Sequence, residues 1–212
     1  MATDLKTGTT TVGLVARESV VLAADMRASL GHIAYDEENQ KLSQIARAIA
    51  LTNAGSVGDT MTIVRFLKSQ AKMYEMENET EIPTKALVVY LANVLSGNRW
   101  NPYEVQFVVG GTNPKPQLFE VTPFGAVLER GKYAVSGSGT EMALTTLDLN
   151  YKDGLDENEA VGLAVQAVLS GQKRDIFSGG KSVSVLVIDK NGCRFVPPKT
   201  VEKAIKEKTN SN

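Results

Sequence analysis

The sequence is short of the residues from which most catalytic sites are made. It holds one cysteine, Cys193, and one histidine, His32. A single cysteine excludes an intrachain disulfide and is at ease in a reducing compartment. A single histidine means that any Ser-His-Asp or Cys-His site would have to use His32. That residue lies in Leu30-Gly31-His32-Ile33, beside no obvious nucleophile, and is read as structural or exposed. One cysteine and one histidine are too little for a zinc site. Aromatic residues make up 6% of the chain and no basic run is interleaved with them, which argues against a stacking platform for nucleic acid. The formal net charge of −1 gives no reason to expect nucleic acid or an anionic membrane as partner. The start of the chain has no apolar core of the signal-peptide kind. The longest apolar run, Ala86 to Ala92, is far too short to cross a bilayer, so a cytoplasmic protein is expected.

What is present suits a folded enzyme. Hydrophobic residues account for 42% and charged residues for 22% of 212 residues, enough for a sizeable core in one large domain or at most two small ones. No internal repeat and no linker divides the chain. The run Thr7-Gly8-Thr9-Thr10-Thr11-Val12-Gly13 stands out. Its β-branched threonines favour an extended chain, and Gly8 before them tolerates unusual backbone angles. Residues 1–6 read as part of a short polar leader. A cut between Gly8 and Thr9 would give Thr9 a hydroxyl and a free α-amine. Such an amine, with a pKa of about 7.7–8.0, can activate its own hydroxyl as a nucleophile. The heptapeptide alone reads more readily as a strand that begins with threonine.

Periodicity places the elements. Thr10–Ala16 and Ser19–Ala24 form a hairpin whose second arm reads as buried on both faces. Lys41–Ile45 and Ala48–Asn53 form another, after a polar turn at 36–40. Asp59 is expected to cap a helix carrying Ile63, Phe66, Leu67, Ala71 and Tyr74 on its apolar face. Residues 75–81 read as an acidic loop. Pro83 opens a second helix, closed by Gly97. Strands are expected over 104–111, 117–121 and 133–135, and helices over about 140–151 and 156–170. A hairpin turning at Asn191-Gly192 follows, then a basic helical tail from Val201. Strands, two helices, strands, two helices, strands is an order met by two stacked sheets with a helix pair on each outer side. The expected fold is therefore α+β, a four-layer αββα sandwich.

Asp25, Lys41, Ser138 and Asp175 fall where strands end or loops return, the places from which a rigid scaffold presents catalytic groups. Singly, each has an ordinary explanation. Together with Thr9 they make a pattern. With Ala24-Asp25-Met26-Arg27, Lys41-Leu42, Ala54-Gly55-Ser56-Val57-Gly58-Asp59, Ser136-Gly137-Ser138-Gly139 and Arg174-Asp175-Ile176-Phe177-Ser178-Gly179-Gly180, the chain resembles the archaeal proteasome β-type subunits, within the N-terminal-nucleophile hydrolases. The resemblance runs from about Thr7 to Val196, and the family's fold is the αββα sandwich.

The resemblance implies a leader at residues 1–8, removed autocatalytically between Gly8 and Thr9, and a single peptidase domain over 9–212. It implies that Thr9 is the nucleophile and that Lys41 favours the ionised form of its hydroxyl, with Asp25 paired to Lys41. Ser138, Asp175 and Ser178 would hold the α-amine and a nearby water, and the Gly55 N–H would face the oxyanion. Substrate binding would fall to Ser29, Ala28, Asn53, Val57 and Met61, with Ser29 and Val57 pairing by backbone to an extended peptide. Asn53 stands where the family pattern has an apolar or small residue, and Ser29 replaces a usual threonine. No cofactor or metal is implied. The implied partners are further copies in β rings, stacked with α-type rings, a regulatory ATPase and unfolded polypeptide substrates. An inactive scaffold subunit would usually lack Thr9 or Lys41, and the bacterial relative with six-membered rings is typically shorter.

Overall fold

Residues 6–30 and 32–209 are described by a computed structural model. In chain order the elements are β1 Lys6–Thr7, β2 Thr11–Val15, β3 Val20–Asp25, β4 Ala28–Leu30, β5 Ile33–Asp36, β6 Leu42–Ala46, β7 Ile49–Thr52 and β8 Ala54–Ser56. Helices α1 Val57–Asn78 and α2 Thr84–Gly97 follow, then β9 Val105–Gly111, β10 Gln117–Val121, β11 Val127–Arg130 and β12 Tyr133–Ser136. Helices α3 Thr140–Asn150 and α4 Glu157–Gln172, strands β13 Val183–Asp189 and β14 Gly192–Phe195, and helix α5 Pro198–Thr209 complete the chain.

Two antiparallel sheets carry the fold. One has five strands in the order β12-β2-β3-β13-β14. The other has nine, with the path β11-β10-β9-β8-β1-β4-β5 and with β7 pairing both β6 and β9. Strand β3 explains why the layers stack. Its successive side chains point to opposite faces. Val20, Leu22 and Ala24 meet Val108, Leu118, Leu186 and Ile188 between the sheets. Val21 and Ala23 meet Ala160, Ala164 and Val168 of α4 on the outer side. Both faces are covered, so every residue of β3 is buried, as its unbroken apolar run predicts. On the far side of the other sheet, Ile49, Leu51, Phe107 and Val109 pack on Ile63, Leu67, Leu87 and Leu91 of α1 and α2. Each such side chain contributes about 1.5–3 kcal/mol on burial. The result is the expected four-layer αββα sandwich.

Several local expectations are corrected. Helix α1 begins at Val57 and is capped by Ser56, whose hydroxyl accepts from the Asp59 N–H at 3.3 Å. Asp59 lies inside the first turn, where a carboxylate suits the helix dipole, and accepts from the Glu104 N–H at 2.9 Å. The same helix runs on to Asn78, so more than half of the expected acidic loop is helical. Glu and Met are good helix formers, and an acidic run is tolerated on an exposed face. Phe66, expected on the apolar face of the first helix, is partly exposed. Strands β1, β4, β5, β8 and β11 were not expected, β1 lying partly in what reads as the leader, and α5 starts earlier, at Pro198, where a missing N–H does no harm. The α4 boundary agrees closely: Asp156 caps it, in a capping box with Glu159.

Candidate functional site

The expected site residues reach one place from five parts of the chain. Thr9 lies two residues before β2, Asp25 ends β3, Lys41 precedes β6, and Ser138 follows β12. Asp175 and Ser178 lie on the loop between α4 and β13. Strand β3 pairs with both β2 and β13, so their ends are neighbours, and the groups they carry become neighbours too.

Lys41 is at the centre. Its side chain is fully buried, a position a lysine takes only with partners. Its Nζ lies 2.8 Å from Asp25 Oδ1, 3.1 Å from Thr9 Oγ1 and 3.0 Å from the Gly8 carbonyl oxygen. Burial pushes the Lys41 pKa below the ordinary lysine value, and the neighbouring charge of Asp25 opposes that only in part. Asp25 is held by more than Lys41. Its Oδ1 accepts from the Thr10 N–H at 3.0 Å, and its Oδ2 from the N–H groups of Gly179 and Arg27 at 2.9 and 3.2 Å. These backbone donors offset much of the cost of burying a carboxylate.

A second network surrounds the Thr9 nitrogen. The Thr9 N–H donates to Ser138 Oγ at 3.0 Å, and the Ser138 hydroxyl donates in turn to Asp175 Oδ2. Ser178 Oγ donates to the same carboxylate oxygen at 2.5 Å. The Thr10 and Ser178 hydroxyls are 2.8 Å apart. One carboxylate thus fixes two hydroxyls, one of which holds the nitrogen of Thr9.

The approach to Thr9 is occupied by β1. This strand pairs antiparallel with β4, Lys6 opposite Ser29, and with β8, Lys6 opposite Ser56 and Thr7 opposite Gly55. Ser29 therefore sits where backbone pairing was expected. Val57 was expected to share that pairing. It is instead the first residue of α1, and Ser56 and Gly55 face the strand. Ala28 is buried beside Ser29 on β4. Gly55 has φ of 114°, and a Cβ there would lie 2.0 Å from the Glu104 carbonyl oxygen, so no other residue fits. Gly8 is tighter still: a Cβ would fall 1.8 Å from Phe177 Cβ.

Beside this strand opens a cavity of about 280 Å³, reaching from Lys41 to α1. Asn53, Val57 and Met61, expected to contact substrate, line it together with Ser43, Thr60 and Val64. A hydroxyl, a buried amine and the carbonyl of the preceding peptide within hydrogen-bond reach of that amine can together move an acyl group from nitrogen to oxygen.

Sequence reasoning did not assign Thr10, Arg27 and Phe177 to the site. All three stand inside the motifs already singled out. Arg27 donates through Nη1 to the Ser178 carbonyl at 3.4 Å and through Nε to Glu37 at 3.2 Å, tying two loops together. Phe177 meets Gly8 only through tertiary structure and leaves no local signal. His32 is exposed. Among the described residues, no helix is long and apolar enough to cross a membrane.

Comparison with known proteins places this geometry. The family model for proteasome subunits matches residues 5–188. A proteasome subunit beta 2 of Pyrococcus furiosus is 43% identical across 94% of this chain and 96% of its own length. A proteasome subunit beta 1 of Thermococcus gammatolerans is 42% identical across 90% of this chain and 94% of its own. A proteasome subunit beta 1 of Thermococcus onnurineus is 39% identical, covering 97% of this chain and the whole of that relative.

Proposed function

The chain belongs to the archaeal-type proteasome β-subunit family of threonine peptidases, and from that membership we propose that Thr9 is its nucleophile, freed when residues 1–8 are removed by the chain itself. As a catalytic proteasome β subunit it is a threonine-type endopeptidase. The observation that carries the assignment of roles is the position of Lys41 Nζ, within hydrogen-bond reach of both the Thr9 hydroxyl and the Gly8 carbonyl.

A neutral lysine amine has one lone pair and two N–H groups. The lone pair takes the Thr9 proton, while the N–H groups face Asp25 Oδ1 and the Gly8 oxygen. Burial, which pulls the Lys41 pKa down, lowers the cost of that neutral form. Thr9 Oγ1 attacks the Gly8 carbonyl carbon, and the bond from that carbon to the Thr9 nitrogen breaks as the nitrogen takes up a proton. The product is an ester, which water hydrolyses to a free Thr9 and a Gly8 carboxylate. The new α-amine remains beside Ser138 and Asp175. A substrate then takes the place of β1, paired by backbone with Ser29 and Gly55, and the same steps cut its peptide bond. The Gly55 N–H is the donor for the oxyanion, a contribution of about 3–4 kcal/mol.

The substrates on this reading are unfolded polypeptides. Restriction of access comes from enclosure in β rings stacked with α-type rings, fed by a regulatory ATPase in the cytoplasm. Met61, Met73 and Met76 stay exposed on α1, and adaptable side chains of this kind suit a subunit interface. The test separates monomer from ring-sized species by size exclusion, assays each fraction with a fluorogenic peptide and weighs its chains. Ring-sized particles should be active and begin at Thr9, and monomers should retain residues 1–8 and be silent. Activity with a Thr9 terminus in the monomer fraction overturns activation by assembly, and active rings that keep residues 1–8 overturn the nucleophile.

A further inference from the structure

Thr10 touches both networks of the site. Its N–H donates to Asp25 Oδ1 at 3.0 Å, and its hydroxyl oxygen lies 2.8 Å from Ser178 Oγ. The protons of that second contact can be assigned. An ionised carboxylate only accepts, and a serine hydroxyl has one proton to donate. Ser178 gives its proton to Asp175 Oδ2 at 2.5 Å, so the Thr10 hydroxyl is the donor to Ser178. Ser138 gives its own to the same oxygen and accepts from the Thr9 N–H at 3.0 Å. The chain therefore runs inward from both ends, from Thr10 through Ser178 and from Thr9 through Ser138, to one carboxylate oxygen. The surroundings of the two ends differ. Ser138 is exposed, so water competes there, whereas Thr10 and Ser178 are buried. The Thr10 hydroxyl is also held in place. A Cβ on Gly139 would lie 1.9 Å from Thr10 Oγ1, and one on Gly171 2.3 Å from it, so the start of α3 and the last turn of α4 close on it from two sides. The acyl shift itself makes no use of this hydroxyl.

Resting on the assignment of Thr9 as the freed nucleophile, we propose that Thr10 is a positioning residue, acting through Ser178 and Asp175 to keep the new α-amine of Thr9 neutral enough to serve as a base. A free α-amine has a pKa of about 7.7–8.0. Its neutral form, a second base beside the Thr9 hydroxyl, takes the hydroxyl proton as the oxygen attacks and passes it to the departing substrate nitrogen. A nearby carboxylate favours the ammonium and works against this. Each hydrogen bond donated to Asp175 spreads its charge and weakens that pull. Along a chain of hydroxyls each donation strengthens the next, so Thr10 strengthens the bond from Ser178 to Asp175. The other charges around the amine are held elsewhere. Asp25 at the end of β3 and Lys41 before β6 pair with each other at 2.8 Å, and Arg27 after β3 pairs with Glu37 at 3.2 Å. Glu141 of α3, and Lys173 and Arg174 ahead of Asp175, are exposed. Removing the Thr10 hydroxyl therefore acts on Asp175 and leaves those groups in place. It raises the amine pKa and depletes the neutral form on the acid side.

The experiment uses assembled, processed particles and potassium cyanate, which carbamylates amines in their neutral form. Labelling of the peptide that begins at Thr9 is followed by mass spectrometry against pH. In Thr10→Val the midpoint should move up by about half a unit. In Thr10→Ser, which keeps the donor, it should return to the wild-type value. Half a unit makes the neutral fraction about threefold smaller well below the midpoint. Hydrolysis of a fluorogenic peptide should therefore fall about threefold relative to wild type at about pH 6 and match it at about pH 9. Thr10→Ala also removes the hydroxyl and gives the same reading should the valine methyl crowd Gly139 and hinder assembly. A midpoint unmoved by loss of the hydroxyl overturns the proposal. So does a ratio to wild type that is the same at both pH values, which is what a purely structural role produces. The reading beneath it fails separately. Wild-type particles that yield no peptide beginning at Thr9 overturn the release of that residue, whereas a labelled Thr9 with an unmoved midpoint overturns only the role of Thr10.

Discussion

Gly8→Ala is the sharpest test of the leader's geometry. The added methyl would lie 1.8 Å from Phe177 Cβ, 2.8 Å from its Cγ and 2.9 Å from its Cα. Carbon atoms rest at about 3.5–4.0 Å, so residue 8 and Phe177 must separate by roughly 1.7–2.2 Å. The Gly8 carbonyl is only 3.0 Å from Lys41 Nζ, and a shift of that size takes it out of reach. A misplacement of about 1 Å at a reacting group costs on the order of a hundredfold in rate. Leader removal in Gly8→Ala should therefore slow by at least about a hundredfold. The assay is intact mass against time after rings assemble. Relief should follow the clashing atoms. Phe177→Ala keeps the Cβ at fault and should not restore processing. Phe177→Gly removes the two side-chain atoms, leaves the Cα, and should restore it in part, measured against Phe177→Gly alone. Gly8→Ala processed at the wild-type rate would refute the reasoning, as would full rescue by Phe177→Ala.

Lys41→Ala should leave the chain folded but abolish both leader removal and peptide hydrolysis, with no further loss on adding Thr9→Ala, since both residues serve one hydroxyl. It should also lower stability toward the lower end of about 3–5 kcal/mol in a denaturation curve, because Asp25 loses its ion-pair partner yet keeps three backbone donors. Near-normal turnover in Lys41→Ala would dismiss the role given to that residue. Cys193, whose thiol is pushed up to about 12 by burial, should alkylate at pH 8 about a thousandfold more slowly in the folded protein than in the unfolded chain. Equal rates by mass spectrometry would contradict its burial.

Much of this arrangement is legible in the sequence because it is written in local signals. The unbroken apolar run of β3 announces burial on both faces, and Asn191-Gly192 announces its turn. Asp25, Lys41, Ser138 and Asp175 are polar residues standing at strand ends. What was not legible lacks such a signal. Strand β5 is exposed along its whole length, so it shows no alternation. Strands β4 and β8 have three residues each, too few for a period to emerge. The start of α1 was misplaced because two good capping residues, Ser56 and Asp59, stand three apart and only tertiary contact decides between them. Asp59 is engaged by Glu104, from the start of the next strand group. The fit of Gly8 against Phe177 belongs wholly to the folded state.

The position of β1 has a consequence for what the mature site can recognise. Among the described residues it joins β4 to β8 through three residue pairings. On the proposed removal of residues 1–8, two strand edges would face each other across a slot one strand wide. Open edges are normally a hazard, since any extended chain can add to them. Here both edges turn inward, and that hazard becomes the means of capture. The slot is filled by main-chain N–H and C=O groups, which nearly every residue supplies, so the first question put to an incoming chain is about its posture and not its spelling. A chain already folded has spent those groups on its own helices and sheets and offers nothing to the rails. Proline, with no N–H, interrupts the fit wherever it falls opposite a waiting carbonyl. Choice among side chains is then a second and narrower sieve, applied only after the backbone has been threaded.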